Sequence, residues 1–83
     1  MWFVYILLCD DNSLYTGSTN NLKKRYETHL SGKGGKYTRS HKPMQLIYSE
    51  KFVTKSEALK REIEIKTWSR VKKIQALDLE IIV

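Results

Sequence analysis

Trp2-Phe3-Val4-Tyr5-Ile6-Leu7-Leu8-Cys9, a turn cluster Asp10-Asp11-Asn12-Ser13, and then Leu14-Tyr15-Thr16-Gly17-Ser18-Thr19 form the stretch whose reading decides the fold. The first run is continuous rather than alternating and rich in aromatic and branched residues, which predicts a strand covered on both faces. The four residues after it carry turn chemistry, and the second run resumes as a strand. The stretch therefore reads as a hairpin, with one tyrosine-centred triplet on each arm: Phe3-Val4-Tyr5 and Tyr15-Thr16-Gly17. The first run is far shorter than the ~20 apolar residues that span a bilayer, and no basic segment precedes it. A buried strand is expected there, and neither a membrane anchor nor an export signal.

Outward from the hairpin, Asn20 or Asn21 is placed to cap a helix whose apolar stripe is Leu22, Tyr26 and Leu30. Ser31-Gly32-Lys33-Gly34-Gly35-Lys36 breaks that helix and opens a basic loop running to Pro43. Met44–Phe52 reads as a third strand. Thr54-Lys55-Ser56-Glu57 has the form of a capping box, opening a helix to about Trp68, and Ser69 caps a last helix to about Leu79. The order β-β-α-β-α-α predicts an α+β fold: a small three-stranded antiparallel sheet flanked by helices. With 83 residues and no linker, one domain over residues 1–83 is expected, burying roughly 60% of its unfolded surface. A single cysteine excludes an internal disulfide, and no Cys/His cluster has zinc-ligand spacing. A reduced, cytoplasmic setting is the expectation.

The formal charge is +6, and its position is more telling than its size. Lys23, Lys24, Arg25, Lys33, Lys36, Arg39 and Lys42 lie between Asn21 and Pro43 against one acid, Glu27, whereas the remainder carries eight basic and eight acidic residues. A basic block of this kind is the footprint of a phosphate-binding surface, set against the plainer reading of general solubility. Lys24, Lys33, Lys36, Arg39 and Lys42 are the candidate nucleic-acid contacts.

Arg25 and His29 are an i, i+4 pair along the edge of the first helix stripe, with no acid three or four positions away. They read either as a solvated edge or as functional groups. On the next helix Ala58, Leu59, Ile63 and Ile65 define the apolar arc, and Glu57, Lys60, Arg61 and Glu64 fill the opposite side. Glu62 projects from within the apolar arc near Lys66. A carboxylate turned toward a sheet is costly unless paired or coordinated. Either a local Glu62–Lys66 pair or a ligand in a cleft accounts for it. Tyr5, Tyr15 and Tyr48 read equally as core residues with satisfied hydroxyls, Tyr37 and His41 as loop residues, and Asp10 and Asp11 as turn formers. Leu79, Ile81, Ile82 and Val83 either pack on the domain or mediate self-association.

As a set, these residues resemble the GIY-YIG nuclease domain, and most closely its short stand-alone bacterial members. Phe3-Val4-Tyr5 stands in the position of Gly-Ile-Tyr, and Tyr15-Thr16-Gly17 in that of Tyr-Ile-Gly. The likeness continues through Gly17-Ser18-Thr19-Asn20-Asn21-Leu22 to Arg25, His29-Leu30-Ser31-Gly32, and Ala58-Leu59-Lys60-Arg61-Glu62. Two departures stand out: the first triplet lacks its glycine, and Thr16 replaces isoleucine. The resemblance implies an endonuclease that hydrolyses DNA phosphodiester bonds. Arg25 would neutralise the phosphate, and Glu62 would hold one Mg²⁺ or Mn²⁺, an ion that binds only with substrate if the apo site is weak. Tyr5 would act as general base or water-positioning group beside Tyr15, with His29 orienting the nucleophile, shuttling a proton or binding phosphate. Tyr37 would hydrogen-bond in the same pocket, and Gly17 would permit close backbone approach or an unusual strand conformation. A phenol has a pKa near ~10, so a base role for Tyr5 requires cationic neighbours or a metal. Branched, nicked or single-stranded DNA, RNA, and a targeting protein all fit this expectation. The rival readings are a catalytically weak nucleic-acid-binding module and a partner-dependent nuclease subunit.

Overall fold

The computed structural model describes residues 1–32 and 42–80. The elements are β1 (Trp2–Cys9), β2 (Leu14–Thr19), α1 (Leu22–Leu30), β3 (Pro43–Phe52), α2 (Lys55–Lys66) and α3 (Arg70–Ala76). The three strands form one antiparallel sheet in the order β2-β1-β3, with register irregularities between Ile6 and Leu7 and between Leu8 and Cys9. The expected α+β architecture and element order are present, and the third strand begins one residue earlier than the sequence reading placed it.

β1 is the central strand, which explains its unbroken apolar run. Its alternate residues point to opposite faces. Val4 and Ile6 join Ala58, Ile65 and Leu79 in a core under α2 and α3, with Leu14, Phe52, Trp68 and Ile74 packed around it. Tyr5 turns to the other face, where it meets His29 of α1. Leu79 is thus a core residue rather than an exposed one, whereas Ile81, Ile82 and Val83 lie outside the described residues.

Local signals place the helices as their caps suggest. Asn21 is the N-cap of α1, its side chain accepting from the Lys24 amide. Thr54 and Glu57 form the reciprocal capping box of α2, and Ser69 caps α3. In the β1–β2 turn the Asp11 carboxylate accepts from the backbone and hydroxyl of Ser13, and Asn12 adopts a left-handed φ of 69°.

Two helix faces differ from their sequence reading. On α1 the buried residue is His29, while Leu30 is 47% exposed; the helix is docked by its Arg25/His29 edge rather than by the predicted stripe. On α2 Ala58 and Ile65 are buried, whereas Leu59 and Ile63 are exposed. Arg61, expected on the solvent side, turns toward β3, pairs with Glu50 and Glu64 and stacks over Trp68.

Candidate active site

Hairpin register builds the base of the site. Tyr5 pairs with Gly17 and Leu7 with Tyr15, so the two tyrosines and Gly17 share one face of the sheet. Gly17 leaves room for the Tyr5 ring: an ideal Cβ there would lie 2.5 Å from the Tyr5 hydroxyl and 3.1 Å from Tyr15 Cε2. α1 then lays His29 and Arg25 over the same face. The Tyr5 hydroxyl and His29 Nε2 are 2.9 Å apart in a buried hydrogen bond. The Tyr15 and His29 rings meet edge-on with centroids 5.0 Å apart, and the two tyrosine rings are 6.3 Å apart.

Charge in this cluster is set by burial and by Arg25. Burial pushes the Tyr5 phenol up to about 12, against the opposing hydrogen bond from Arg25, and the charges of Tyr15 and Glu62 add to the rise. Hydrogen bonding to Tyr5 is the largest cause holding Arg25 above its ordinary value. His29 is held below the usual imidazole range, by burial first and then by the Arg25 charge. In this state the phenol is protonated at neutral pH and the imidazole is neutral. The lowering of the Tyr5 pKa that a phenolate base requires is absent from the protein alone.

Glu62 reaches the cluster from the other side of the sheet. Side chains alternate along β2, so Ser18 faces α2, where its hydroxyl donates to Glu62 Oε1 at 2.5 Å. Lys66 Nζ lies 2.7 Å from Oε2. Of the two readings of Glu62, the local pair with Lys66 is present, and the carboxylate charge also reaches Tyr5. Among the described residues no three His, Cys, Asp or Glu side chains are grouped around a common point. One largely buried carboxylate with a hydroxyl oxygen on it fits a hard divalent ion that keeps most of its waters, and Glu62 is the residue that would hold it.

An open pocket of about 240 Å³ lies beside Arg25, lined by Thr19, Asn20, Asn21, Lys24 and Thr28 as well. Its only charged linings are cationic, which suits an approaching phosphate backbone. Lys42 is exposed on the chain entering β3. Tyr37, Lys33, Lys36, Arg39 and His41 lie outside the described residues. Tyr5, Tyr15, Gly17, Arg25 and His29 are brought together, and Glu62 is set against them across the edge strand.

Two residues with no predicted role take part. Ser18 fixes Glu62, and period-two alternation placed it on the right face without revealing its partner. Lys73 of α3 is buried and donates from Nζ to Thr16 Oγ1 at 3.1 Å, so the threonine that replaces the pattern's isoleucine carries a hydrogen bond. Lys73 shares a helical arc with Ile74 and Leu77, which was the available signal.

A three-stranded sheet with paired tyrosines on a hairpin, an Arg/His helix across one face and a glutamate helix across the other defines a nuclease-type domain. The GIY-YIG catalytic domain matches residues 1–75, and the chain belongs to this family. Its relatives include small bacterial UPF0213 proteins. The protein SH2523 of Staphylococcus haemolyticus is 53% identical over 76 residues, covering 92% of this chain and 93% of that one. A UPF0213 protein of Bacillus pumilus is 55% identical over 71 residues, covering 86% and 72%. The solution NMR structure of the UPF0213 protein BH0048 from Bacillus halodurans aligns with a TM-score of 0.60 at 46% identity, covering 94% of this chain and 84% of that one. Family membership implies nuclease-type function on a nucleic acid, generally with a divalent metal ion. Among the described residues no helix is long and apolar enough to cross a membrane.

Proposed function

We propose that this protein is a metal-dependent endonuclease that hydrolyses phosphodiester bonds in DNA. The observation that carries the reading is the convergence of Tyr5, Tyr15, Arg25 and His29 on one face of the β1–β2 hairpin, with Glu62 anchored to its edge strand. A module that only binds nucleic acid gains from Lys24 and Arg25 but not from a partly buried carboxylate, which repels phosphate.

Arg25 takes a phosphoryl oxygen, since a guanidinium keeps its charge and its fork matches phosphate geometry. Held by Glu62, a Mg²⁺ or Mn²⁺ ion would supply charge neutralisation at the phosphoryl and departing 3′ oxygens. The Tyr5 hydroxyl positions the attacking water. Because the phenol is protonated and His29 neutral, the proton path runs through both: water gives its proton to the Tyr5 oxygen as Tyr5 passes its own to His29 Nε2. The tautomer with hydrogen on Nδ1 leaves Nε2 free to accept. The hydroxide bonds to phosphorus, the P–O3′ bond breaks, and the leaving oxygen takes a proton from solvent. Tyr15 packs the His29 ring in place, and Tyr37 is assigned a hydrogen-bonding role at the same pocket. Lys24 and Lys42, with Lys33, Lys36 and Arg39 of the basic loop, grip the backbone without reading sequence.

The test is cleavage of a panel of duplex, nicked, flap, branched and single-stranded DNA, with RNA beside it, in Mg²⁺ or Mn²⁺. Glu62→Gln is expected to abolish cutting, and Arg25→Ala to reduce it by about 10²–10³-fold, with both proteins folded. Wild-type protein that binds the panel and never cuts would make the binding module, or a nuclease subunit awaiting a protein partner, the better reading.

A further inference from the structure

Both oxygens of Glu62 are engaged, and by groups of different kinds. Oε1 takes a neutral hydroxyl from Ser18 at 2.5 Å, and Oε2 takes the ammonium of Lys66 at 2.7 Å. The Glu62 side chain is only 14% exposed, whereas that of Lys66 is 49% exposed. A carboxylate so withdrawn from water needs a positive partner. Lys66, one helical turn further along α2, supplies it from the solvent side.

We propose that Lys66 is the resident counter-ion of Glu62, that a divalent cation loads only by displacing this ammonium, and that Lys66 thereby sets the metal affinity of the site. The proposal rests on the nuclease reading, in which Glu62 is the metal-holding residue. Oε2 is the oxygen that carries the half-exposed Lys66, so it is the one an incoming ion can free, while Oε1 stays fixed on edge strand β2 by Ser18. The exchange has a route, because Lys66 is half-exposed and its long stem lets the head group swing into water without moving the helix, while the incoming cation replaces its charge on the carboxylate. Once displaced, the Lys66 ammonium remains beside the site as a free cation that a substrate phosphate can take up. Metal and DNA would then enter together: the ion replaces Lys66 on the carboxylate and the phosphate replaces the carboxylate on Lys66.

The test reads metal binding directly, without DNA and without activity. Mn²⁺ is titrated into ¹⁵N-labelled protein, and broadening of the Ser18 and Glu62 amide signals gives a dissociation constant for wild type, Lys66→Gln and Glu62→Gln. Mg²⁺ is then titrated while the Lys66 side-chain ammonium resonance is followed. Lys66→Gln is expected to tighten binding by at least about twofold, since even a surface pair reaches that factor. Glu62→Gln, which keeps the side chain's size, is expected to lose binding. The wild-type Lys66 resonance is expected to move to its free position with the same Mg²⁺ midpoint. Unchanged affinity in Lys66→Gln, or a Lys66 resonance that stays paired when metal is bound, would overturn the proposal while leaving Glu62 as the ligand. Broadening indifferent to Glu62→Gln would instead remove the metal role of Glu62 from the nuclease reading.

Discussion

A Cβ placed on Gly17 would come within 2.7 Å of Tyr5 Cζ as well as 2.5 Å of its hydroxyl, so even alanine forces the Tyr5 ring off His29. Overpacking of this kind costs about 1–3 kcal/mol. Gly17→Ala is expected to lower the unfolding free energy from urea titration by that amount and to reduce cleavage far more than the loss of folded protein explains; equal losses would mean that the Tyr5 position is immaterial. His29 makes a second residue-scale prediction. Its native pKa lies below the ordinary value of about 6.5. Between those two values the unfolded chain binds a proton that the native state refuses. Stability is therefore insensitive to His29 above this window and falls as pH drops through it. Urea midpoints measured from about pH 7.5 down to about pH 5 should decline less steeply in His29→Asn than in wild type, and parallel slopes would contradict the assignment. These residues also mark where sequence reading stopped. Numbering placed Arg25 and His29 on one edge and set Glu62 apart from its helix's polar side. It also assigned the inward face of α1 to Leu30, because an apolar stripe is the usual signature of burial. At this site polar groups are buried where apolar ones usually are, and the ordinary pattern is locally broken.

At the scale of elements, the hairpin and the order of strands and helices were legible because turn chemistry, capping residues and an unbroken apolar run all agreed. The docking of α3 was not. It rests partly on Lys73 crossing to Thr16, a contact between residues 57 positions apart that no periodicity announces. Burial holds the Lys73 ammonium below its usual pKa, with Lys66 adding to the effect, so loss of its acceptor is costly. Thr16→Val is expected to destabilise the protein by about 1–3 kcal/mol, or roughly 4–8 °C in melting temperature per kcal/mol for a chain of this size. Adding Lys73→Met should restore most of that loss, because a well-packed apolar pair often equals a buried polar one. A double variant as unstable as the single one would show that Lys73 anchors α3 through other contacts. The outward turn predicted for Arg61 failed for a related reason: its partner, Glu50, comes from β3 and cannot be seen within the helix.

For the whole molecule, charge and fold are organised separately. The net charge of +6 belongs to the segment from Asn21 to Pro43, and Lys24 and Arg25 bring it to the rim of the site. Replacing Lys24 and Lys42 with Gln is expected to weaken duplex binding at low salt and to flatten its salt dependence by about 0.9 per lost phosphate contact. Fluorescence titrations across a salt series would check this, and an unaltered slope would move the binding surface elsewhere. The site itself is drawn from both faces of the sheet: the tyrosines come from its first two strands, Arg25 and His29 from the helix on one side, and Glu62 from the helix on the other. This arrangement carries a consequence for the chain as it is being made. Tyr5, Tyr15, Arg25 and His29 leave the ribosome early, and Glu62 follows after several seconds at ordinary rates of about 5–20 residues per second. Until β3 has joined the sheet and α2 has docked, a nascent chain holds the phosphate-facing residues of the proposed mechanism but lacks the carboxylate, so on the nuclease reading its cutting chemistry is withheld while it is tethered and unfinished.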